Sequence, residues 1–185
     1  MPPDADTRLT ERDTLATTVL AANRAAGRKI AVAESCTGGM VAAALTDIAG
    51  CSDVFTAGFV TYSGHAKQTQ LGVSSEILET FGEVSPATAW AMAAGVLAHS
   101  DADVAVAITG IAGPGGGSDK KPVGQVVFAR ALRDQNPDDY FTQRVQFDGS
   151  DRAAIRHAAT LFALDLLQPE RDSLRPSEDI ALSAP

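Results

Sequence analysis

The segment from residue 30 to residue 45 constrains the fold more than any other part of the chain. A short apolar run at 30–32 leads into Glu34-Ser35-Cys36-Thr37-Gly38-Gly39, and an alanine-rich apolar run follows. This order is typical of a buried strand that turns sharply and opens a helix. Because each of the two glycines costs a helix about 0.5–1 kcal/mol relative to alanine, their place at the turn indicates that another molecule approaches the backbone there.

The turn brings a hydroxyl, a thiol and the first N–H groups of the predicted helix to one place. Such N–H groups have no partner within the helix and carry the positive end of its dipole, so they can bind an oxyanion or a phosphate. We therefore expect Ser35, Thr37, Gly38 and Gly39 to form part of a site. The alternative is that Ser35 or Thr37 only caps the helix.

Composition narrows the classes of protein that remain. A chain of 185 residues with no break in composition predicts a single domain, and abundant alanine and glycine with only 5% aromatic residues favours helices packed closely on a sheet. A formal net charge of −8 argues against a nucleic-acid-binding surface. The start of the chain does not resemble a signal peptide and no apolar run reaches membrane-spanning length, so we expect a cytoplasmic protein.

The two cysteines, Cys36 and Cys51, stand apart from any CxxC or histidine pairing. They therefore indicate neither a zinc site nor a disulfide. Because no HExxH motif, carboxylate pair or Cys/His set occurs in the sequence, we expect no metal and no cofactor.

Strand-like and helix-like segments alternate along the chain, which predicts an α/β fold with three layers, α/β/α, and a mixed, mostly parallel sheet of about five strands. The clearest strand is 103–109, an unbroken apolar run, and the clearest helix start is Ser85-Pro86, a capping residue followed by proline. Asn136-Pro137-Asp138 marks the turn of a hairpin, which introduces antiparallel pairing. The other predicted strands are 29–34, 54–63, 123–133 and 140–147, and the other predicted helices are 10–26, 37–47, 65–70, one capped by Ser74 and one capped by Ser150.

The end of the chain differs from the rest in its pattern. The last predicted helix carries apolar residues at helical spacing up to Leu166, and periodicity is lost from residue 168 onward. We therefore expect a single domain over residues 1–167 and a mobile C-terminal tail over residues 168–185.

Three segments that could carry chemistry leave the carboxyl ends of predicted strands: Ser35 after the first, 62–67 after the second and 109–118 after the third. Because ligands of open α/β sheets bind at that edge, we expect the three segments to meet. The glycine-rich loop from Gly110 to Gly117 fails both the GxxxxGK[ST] and the GxGxxG spacings, so neither an NTPase nor a dinucleotide-binding enzyme is indicated.

A serine nucleophile needs a base, and Lys67 is the best candidate in this chain. Two of the three histidines, His99 and His157, fall within predicted helices away from the glycine-rich segments, which disfavours a Ser-His-Asp arrangement. A lysine accepts a proton only when it is neutral, so its pKa of about 10.4 must fall by roughly 3 units, or about 4 kcal/mol, for work near neutrality. The alternative is that Lys67 is a solvated lysine on a helix.

Arg152 lies in the first turn of the last predicted helix, where a cation opposes the helix dipole at a cost of about 0.3–1 kcal/mol. An anion bound there would reverse that cost, and Arg156, four residues on, could reinforce the binding. The alternative is an ordinary salt bridge from Arg152 to Asp148 or Asp151.

Several long motifs occur in a fixed order along the chain. They are Ala33-Glu34-Ser35-Cys36-Thr37-Gly38-Gly39, Val60-Thr61-Tyr62-Ser63 with Ala66-Lys67 and Leu71-Gly72-Val73, Thr109-Gly110-Ile111-Ala112-Gly113-Pro114 with Gly116-Gly117 and Lys121-Pro122-Val123-Gly124, and Phe147 with Gly149 through Arg152. Over about residues 15–167 the chain thereby resembles the nicotinamide-nucleotide amidohydrolase family, the stand-alone form of the CinA C-terminal domain. The resemblance implies metal-independent hydrolysis of the carboxamide of nicotinamide mononucleotide to nicotinate mononucleotide and ammonia, in a homo-oligomer.

The family's catalytic residues would fall here on Ser35, Tyr62, Lys67, Thr109 and Arg152. Our hypothesis for the mechanism is that neutral Lys67 takes the proton of Ser35, whose oxygen attacks the carboxamide carbon. Tyr62 and Thr109 would orient this pair.

The substrate would be a small nucleotide whose phosphate lies with Arg152 and with the glycine loop at Gly110 and Gly113. Backbone N–H groups from Thr37 to Gly39 would hold the oxyanion. The chain departs from the family at Gly64-His65, where Asn-Glu is usual, and this change could alter substrate contacts.

Two alternatives stay open at this point. Cys36 is a rival nucleophile, since thiolates are intrinsically better nucleophiles than hydroxyls, although no base is evident for it. The chain could also be a non-catalytic nucleotide sensor or a competence- or damage-related regulatory module that uses the same pocket, or an amidase for another small carboxamide.

Overall fold

The computed structural model describes residues 5–136, 141–149, 151–173 and 180–183. None of the described helices is both long and apolar enough to cross a bilayer. The helices are α1 (Ala5–Ala25), α2 (Met40–Thr46), α3 (Gly64–Leu71), α4 (Ser75–Phe81), α5 (Pro86–Ala98) and α6 (Arg152–Leu166), and 3₁₀ turns occupy Cys51–Asp53 and Pro169–Arg171. The strands are β1 (Ile30–Glu34), β2 (Phe55–Val60), β3 (Val104–Gly110), β4 (Gln125–Leu132), β5 (Phe141–Asp148) and β6 (Ile180–Ser183).

The strands form one sheet in the order β2-β1-β3-β4-β5-β6. β1 pairs in parallel with both β2 and β3, whereas β4 pairs antiparallel with β3 and with β5. The predicted α/β class and mixed sheet are confirmed, and β6 adds a further strand parallel to β5. In register, Glu34 is level with Val60 and with Ile108, so the carboxyl ends of the three parallel strands lie together at one edge.

Alternate side chains of the sheet face two separate cores. Val104, Val106 and Ile108 of β3 pack with residues of α1, α2 and α6, whereas Ala105 and Ala107 pack with residues of α3 and α5 on the opposite face. All five side chains are fully buried. Because helices cover both faces, the continuous apolar run of β3 has the pattern of a strand buried on both sides, and the predicted three-layer architecture is confirmed.

The helix after β1 begins later than the sequence predicted, at Met40 rather than at Thr37. Gly38 and Gly39 have φ values of 62° and 94°, a left-handed backbone conformation that L side chains rarely adopt and that a helix cannot contain. Residues 35–39 therefore form a separate turn, which we call the 35–39 loop.

Two other helix starts differ from the predicted ones. α1 begins at Ala5, before the predicted cap Thr10. α6 is capped by Asp151, whose carboxylate accepts a hydrogen bond from the N–H of Ala154 at 2.8 Å. The predicted cap Ser150 lies outside the described residues, as do Pro137 and Asp138 of the predicted hairpin turn.

The described part of the predicted tail carries regular structure. It includes the 3₁₀ turn and β6, which pairs with β5. Asp172 accepts hydrogen bonds from Arg28, whose Nη1 lies 2.6 Å from Oδ2, and from Arg130. Regular structure thus continues beyond residue 167, which the loss of periodicity did not indicate, and the domain boundary itself stays a prediction.

Candidate active site

The carboxyl ends of β1, β2 and β3 bring three of the predicted site segments together. The N–H of Ser35 donates to the carbonyl of Ile108 at 2.9 Å, and the N–H of Thr61 donates to the carbonyl of Glu34 at 2.9 Å. These bonds continue the hydrogen-bond pattern of the parallel strands one residue past β1. The peptide between Glu34 and Ser35 is therefore held from β3 on one side and from the end of β2 on the other. Ser35 is nearly buried, with 8% of its surface exposed.

Lys67 reaches Ser35 from α3. Ser63 caps this helix by accepting the N–H of Ala66 at 3.1 Å, and Lys67 follows one residue later in the first turn. Its ammonium nitrogen lies 3.2 Å from Ser35 Oγ and donates to the carbonyl of Thr61 at 2.9 Å. The predicted serine–lysine pair therefore meets, within hydrogen-bond distance.

The surroundings of Lys67 act on the pKa of its ammonium in two opposite directions. The side chain is fully buried, and this burial lowers the pKa of its ammonium below the ordinary value, because a charge is poorly stabilised away from water. The carboxylate of Glu83 opposes the shift, with Oε2 3.5 Å from Nζ. Lys67 is thus a buried lysine and not the solvated helix lysine that the sequence also allowed.

Glu83 and Thr109 form the far side of this cluster. The hydroxyl of Thr109 donates to the backbone carbonyl of Glu83 at 2.8 Å, and Thr109 is almost completely buried. Thr109 therefore fixes the residue whose carboxylate faces Lys67. The sequence analysis did not identify Glu83, since it precedes α5 in a turn that carries no motif.

Tyr62 and Arg152 meet at the rim of the site. Arg152 donates from Nη2 to the hydroxyl of Tyr62 at 2.8 Å and from Nη1 to the carbonyl of Gly113 at 2.7 Å. Tyr62 is 57% exposed, and Arg152 is exposed as well. These contacts join the second and third predicted segments to the start of α6. In the part of the chain that the structure describes, Arg152 forms no salt bridge to Asp148 or Asp151, the alternative that the sequence left open.

Arg156 does not extend the Arg152 site, although the spacing of four residues predicted that it could. Its Nε donates to the carbonyl of Cys36 at 3.0 Å, and its Nη2 donates to the carbonyl of Thr37 at 2.7 Å. The side chain is thus bound to the 35–39 loop. The two arginines therefore have separate partners: Arg152 binds Tyr62 and Gly113 at the rim, whereas Arg156 binds the 35–39 loop.

The predicted anion site at the helix N-terminus needs correction, because Glu34 occupies it. The buried Glu34 carboxylate accepts the N–H groups of Gly39 at 2.9 Å, Val41 at 3.2 Å and Ala42 at 2.9 Å. The N–H of Gly38 donates to the carbonyl of Ser35 at 3.0 Å. The N–H groups of Gly38 and Gly39 therefore already have partners within the protein. This differs from the expectation that they hold an oxyanion. An acidic residue just before a helix was the signal for this cap.

The glycine loop after β3 is shaped by close packing. A Cβ on Gly110 would lie 2.8 Å from Val126 Cγ2, and one on Gly113, which has a φ of 77°, would lie 2.6 Å from Val123 Cγ1. Both positions thus require glycine for the fold. Their predicted contact with substrate stays a prediction, as does that of Thr37, Gly38 and Gly39.

The rival nucleophile Cys36 lies in the core beside α1, α2 and α6, with 5% of its surface exposed. Burial raises the pKa of its thiol to about 11, which leaves almost no thiolate near neutrality. Among the described residues, no three His, Cys, Asp or Glu side chains form a group that could hold a metal ion.

Comparisons with known proteins identify relatives of this chain. The chain is 51% identical over 144 residues to the nicotinamide-nucleotide amidohydrolase PncC of Enterobacter agglomerans, covering 78% of this chain and 85% of that protein. It is 50% identical over 143 residues to a CinA-like protein of Mycolicibacterium gilvum, of which it spans 33%. The structure is similar to that of the competence/damage inducible protein CihA from Agrobacterium tumefaciens, with a TM-score of 0.81, 44% identity and coverage of 90% and 96% of the two chains.

The match to a family model covers most of the folded chain. Residues 12–170 match the model described as the CinA C-terminal domain, a range that contains all the site residues discussed above. The resemblance inferred from the motifs is thus confirmed. This chain belongs to the CinA C-terminal domain family.

Proposed function

We propose that this chain hydrolyses the carboxamide of nicotinamide mononucleotide to nicotinate mononucleotide and ammonia, with Ser35 as nucleophile and Lys67 as base. The observation that carries the proposal is the 3.2 Å separation of Lys67 Nζ and Ser35 Oγ, with the amine fully buried. A nucleophile and a base within hydrogen-bond distance are the minimal requirement for covalent acyl transfer. The names of relatives such as the Enterobacter agglomerans protein support the substrate.

The chemistry follows from the protonation state of Lys67. The neutral amine takes the hydroxyl proton of Ser35 while Oγ forms a bond to the carboxamide carbon, and the carbonyl oxygen becomes an oxyanion. When the oxyanion collapses, the C–N bond breaks and the Lys67 ammonium gives its proton to the leaving nitrogen, which departs as ammonia. Water then attacks the acyl ester with Lys67 as base, which releases the carboxylate and restores the Ser35 hydroxyl.

The rim supplies a place for the nucleotide's phosphate. Arg152 is exposed, stands at the first position of α6 and holds Tyr62 and the Gly113 carbonyl. A phosphate there would pair with the guanidinium and with the positive end of the α6 dipole. In this proposal Tyr62 holds the side chain of Arg152 in position through its hydroxyl. Thr109 positions Glu83, whose carboxylate faces Lys67.

The test is ammonia release from nicotinamide mononucleotide by the purified protein. We expect Ser35→Ala and Lys67→Met each to lower kcat by at least about a thousand-fold, because each removes one member of a unit that acts together. Cys36→Ala is the matched control next to Ser35 and should keep kcat within about threefold.

Three results would contradict the proposal. Binding of the nucleotide without turnover by the wild-type protein would indicate a sensor. Full activity of Ser35→Ala with loss of activity in Cys36→Ala would assign the nucleophile to the thiol. Turnover of other carboxamides but not of nicotinamide mononucleotide would overturn the substrate.

A further inference from the structure

The carboxylate of Glu83 and the hydroxyl of Ser35 face the same nitrogen. Lys67 Nζ lies 3.2 Å from Ser35 Oγ and 3.5 Å from Glu83 Oε2, and it donates to the carbonyl of Thr61 at 2.9 Å. Lys67 is fully buried and Ser35 is nearly buried, whereas 51% of the Glu83 side chain is exposed. Of these three side chains, Glu83 is therefore the one that solvent, and a ligand that arrives from solvent, reaches most easily.

The turn that carries Glu83 is held at three consecutive carbonyls, each by a side chain from another segment. These bonds run from Lys121 Nζ to the carbonyl of Phe81 at 2.9 Å, from the Thr88 hydroxyl to that of Gly82 at 2.7 Å, and from the Thr109 hydroxyl to that of Glu83 at 2.8 Å. The backbone of the turn is thus fixed from the loop before β4, from α5 and from β3. Support of this kind is expected where the place of a functional side chain matters.

Gly64 leaves room for the carboxylate. It is the first residue of α3, and its φ is not in the left-handed range, so the backbone does not require glycine there. A Cβ at this position would lie 3.0 Å from Glu83 Oε1 and 3.4 Å from Glu83 Cδ. The two carboxylate oxygens therefore have different neighbours, with Oε1 beside Gly64 and Oε2 beside Lys67. What glycine provides at position 64 is close approach.

The proposed chemistry brings the leaving nitrogen to this carboxylate. In that chemistry Lys67 gives a proton to the carboxamide nitrogen, which must therefore come within hydrogen-bond distance of Nζ. The same atom faces Glu83 Oε2 at 3.5 Å. A carboxamide nitrogen carries two N–H donors, and an ionised carboxylate only accepts hydrogen bonds. The substrate's amide thus meets a group with which it can pair.

The product differs from the substrate at this place. An oxygen replaces the nitrogen, and the resulting carboxylate has no donor and carries the same charge as Glu83, so the two groups repel each other. A buried ammonium without a counter-ion would attract the product, but the charge of Lys67 is already balanced by Glu83. Both effects weaken the binding of the product and leave the neutral substrate unaffected.

We propose that Glu83 is a specificity residue, which distinguishes the carboxamide of the substrate from the carboxylate of the product, and that Gly64 makes its position possible. The pair of nucleotides rests on the proposed function, whereas the discrimination between amide and acid comes from Glu83 itself. A group that repels the product also shortens its stay in the site. Nicotinate mononucleotide should accordingly be a weak inhibitor of the wild-type protein.

The first test measures binding in Lys67→Met, where the charge of Lys67 cannot contribute. The Kd values of nicotinamide mononucleotide and of nicotinate mononucleotide are measured by calorimetry with and without Glu83→Gln. Glutamine keeps an acceptor oxygen but no charge, so the Kd of the amide should stay within about threefold. The Kd of the acid should fall about tenfold, a modest factor because water screens a half-exposed carboxylate. An unchanged Kd of the acid, or an equal fall for both nucleotides, would show that Glu83 does not discriminate between them.

Two further variants make the result specific. Glu79→Gln, which removes an exposed carboxylate on α4, should leave both Kd values within about twofold in the same background. Ser35→Ala keeps Lys67 and separates the two proposals. If Ser35→Ala binds neither nucleotide, the proposed function and this inference are both wrong. If it binds both, and Glu83→Gln does not change their ratio, only this inference is wrong.

The role of Gly64 is tested by inhibition of ammonia release from nicotinamide mononucleotide. Gly64→Asn places a side chain where the Glu83 carboxylate lies, so the inhibition constant of nicotinate mononucleotide should fall, by less than in Glu83→Gln. Because both changes act on one group, Gly64→Asn should add little to Glu83→Gln. An unchanged constant in Gly64→Asn, or full additivity of the two changes, would contradict the role of Gly64.

The matched control for that measurement is Gly72→Asn at the other end of α3. Gly72 has a φ of 68°, which asparagine tolerates better than most residues, and in the part of the chain that the structure describes its Cβ would meet no atom within 4 Å. Gly72→Asn should leave the inhibition constant unchanged. If it lowered the constant as much as Gly64→Asn does, the effect would come from α3 in general and not from the space beside Glu83.

Discussion

Lys67 can act as a base only to the extent that it is uncharged, and two neighbours act on its charge in opposite directions. Burial lowers the pKa of the ammonium, and the Glu83 carboxylate at 3.5 Å works against that shift. Burial dominates, so the pKa lies below the ordinary value. The half-exposed carboxylate of Glu83 thereby limits how far the pKa of Lys67 falls.

Replacement of Glu83 by glutamine therefore has a predictable sign. Without the carboxylate, the charged form of Lys67 loses a stabilising partner, and its pKa falls further. The acid limb of the kcat/KM profile, which rises as Lys67 loses its proton, should move to lower pH in Glu83→Gln. Glu79→Gln, an exposed carboxylate on α4, is the control and should leave the limb in place. A limb that moved to higher pH would show that Lys67 is not the group titrated.

The start of α2 depends on one buried carboxylate that replaces an ordinary side-chain cap. Gly39 is the N-cap residue and offers no side chain, so Glu34 satisfies three N–H groups from the end of β1. In Glu34→Gln, the amide nitrogen would face an N–H group that needs an acceptor. We expect a loss of about 1–3 kcal/mol in the free energy of unfolding, measured with urea.

The matched control for that measurement is Glu76→Gln on α4, since Glu76 is exposed in the first turn of a helix already capped by Ser74. It should change the free energy of unfolding by less than about 0.5 kcal/mol. Equal stabilities of Glu34→Gln and the wild type would mean that the carboxylate is not what holds the helix start.

Local patterns predicted most elements, whereas the contacts of the site come from distant parts of the chain. The Ser85-Pro86 signal gave the start of α5, and the apolar run at 103–109 gave β3 with a one-residue difference at each end. The contact of Arg156 with Cys36 joins residues 120 positions apart. No local spacing encodes which distant group a long side chain reaches, so the contacts of Arg156 and Glu83 became apparent only in the folded chain.

In the molecule as a whole, Asp172 links the segment after α6 to two arginines from distant parts of the chain. It pairs with Arg28, which follows α1, and with the almost completely buried Arg130 of β4. Partial burial disfavours ionisation of Asp172, but the hydrogen bonds and charges of the two arginines outweigh it, so its pKa lies below the ordinary value.

The two ion pairs of Asp172 predict how the stability of the fold depends on pH. Because the pKa of Asp172 is lower in the folded state, its contribution is present above the unfolded value of about 3.9 and is lost as pH falls through the folded value. We expect Asp172→Asn to lose about 1–2 kcal/mol at pH 7, toward the low end for charged hydrogen bonds because the carboxylate is partly exposed. The gap in melting temperature from the wild type should narrow below pH 4. Asp101→Asn, in an exposed pair with Lys29, should show little gap at either pH.

The parallel pairing of β1 with β2 and β3 also bears on how the activity is acquired during folding. Ser35, Lys67, Glu83 and Arg156 become neighbours only when the strand ends are level and α6 has docked, so the proposed site draws on elements from β1 to α6. If the proposed activity is followed during refolding, we expect turnover to recover together with the docking of α6 and not before it.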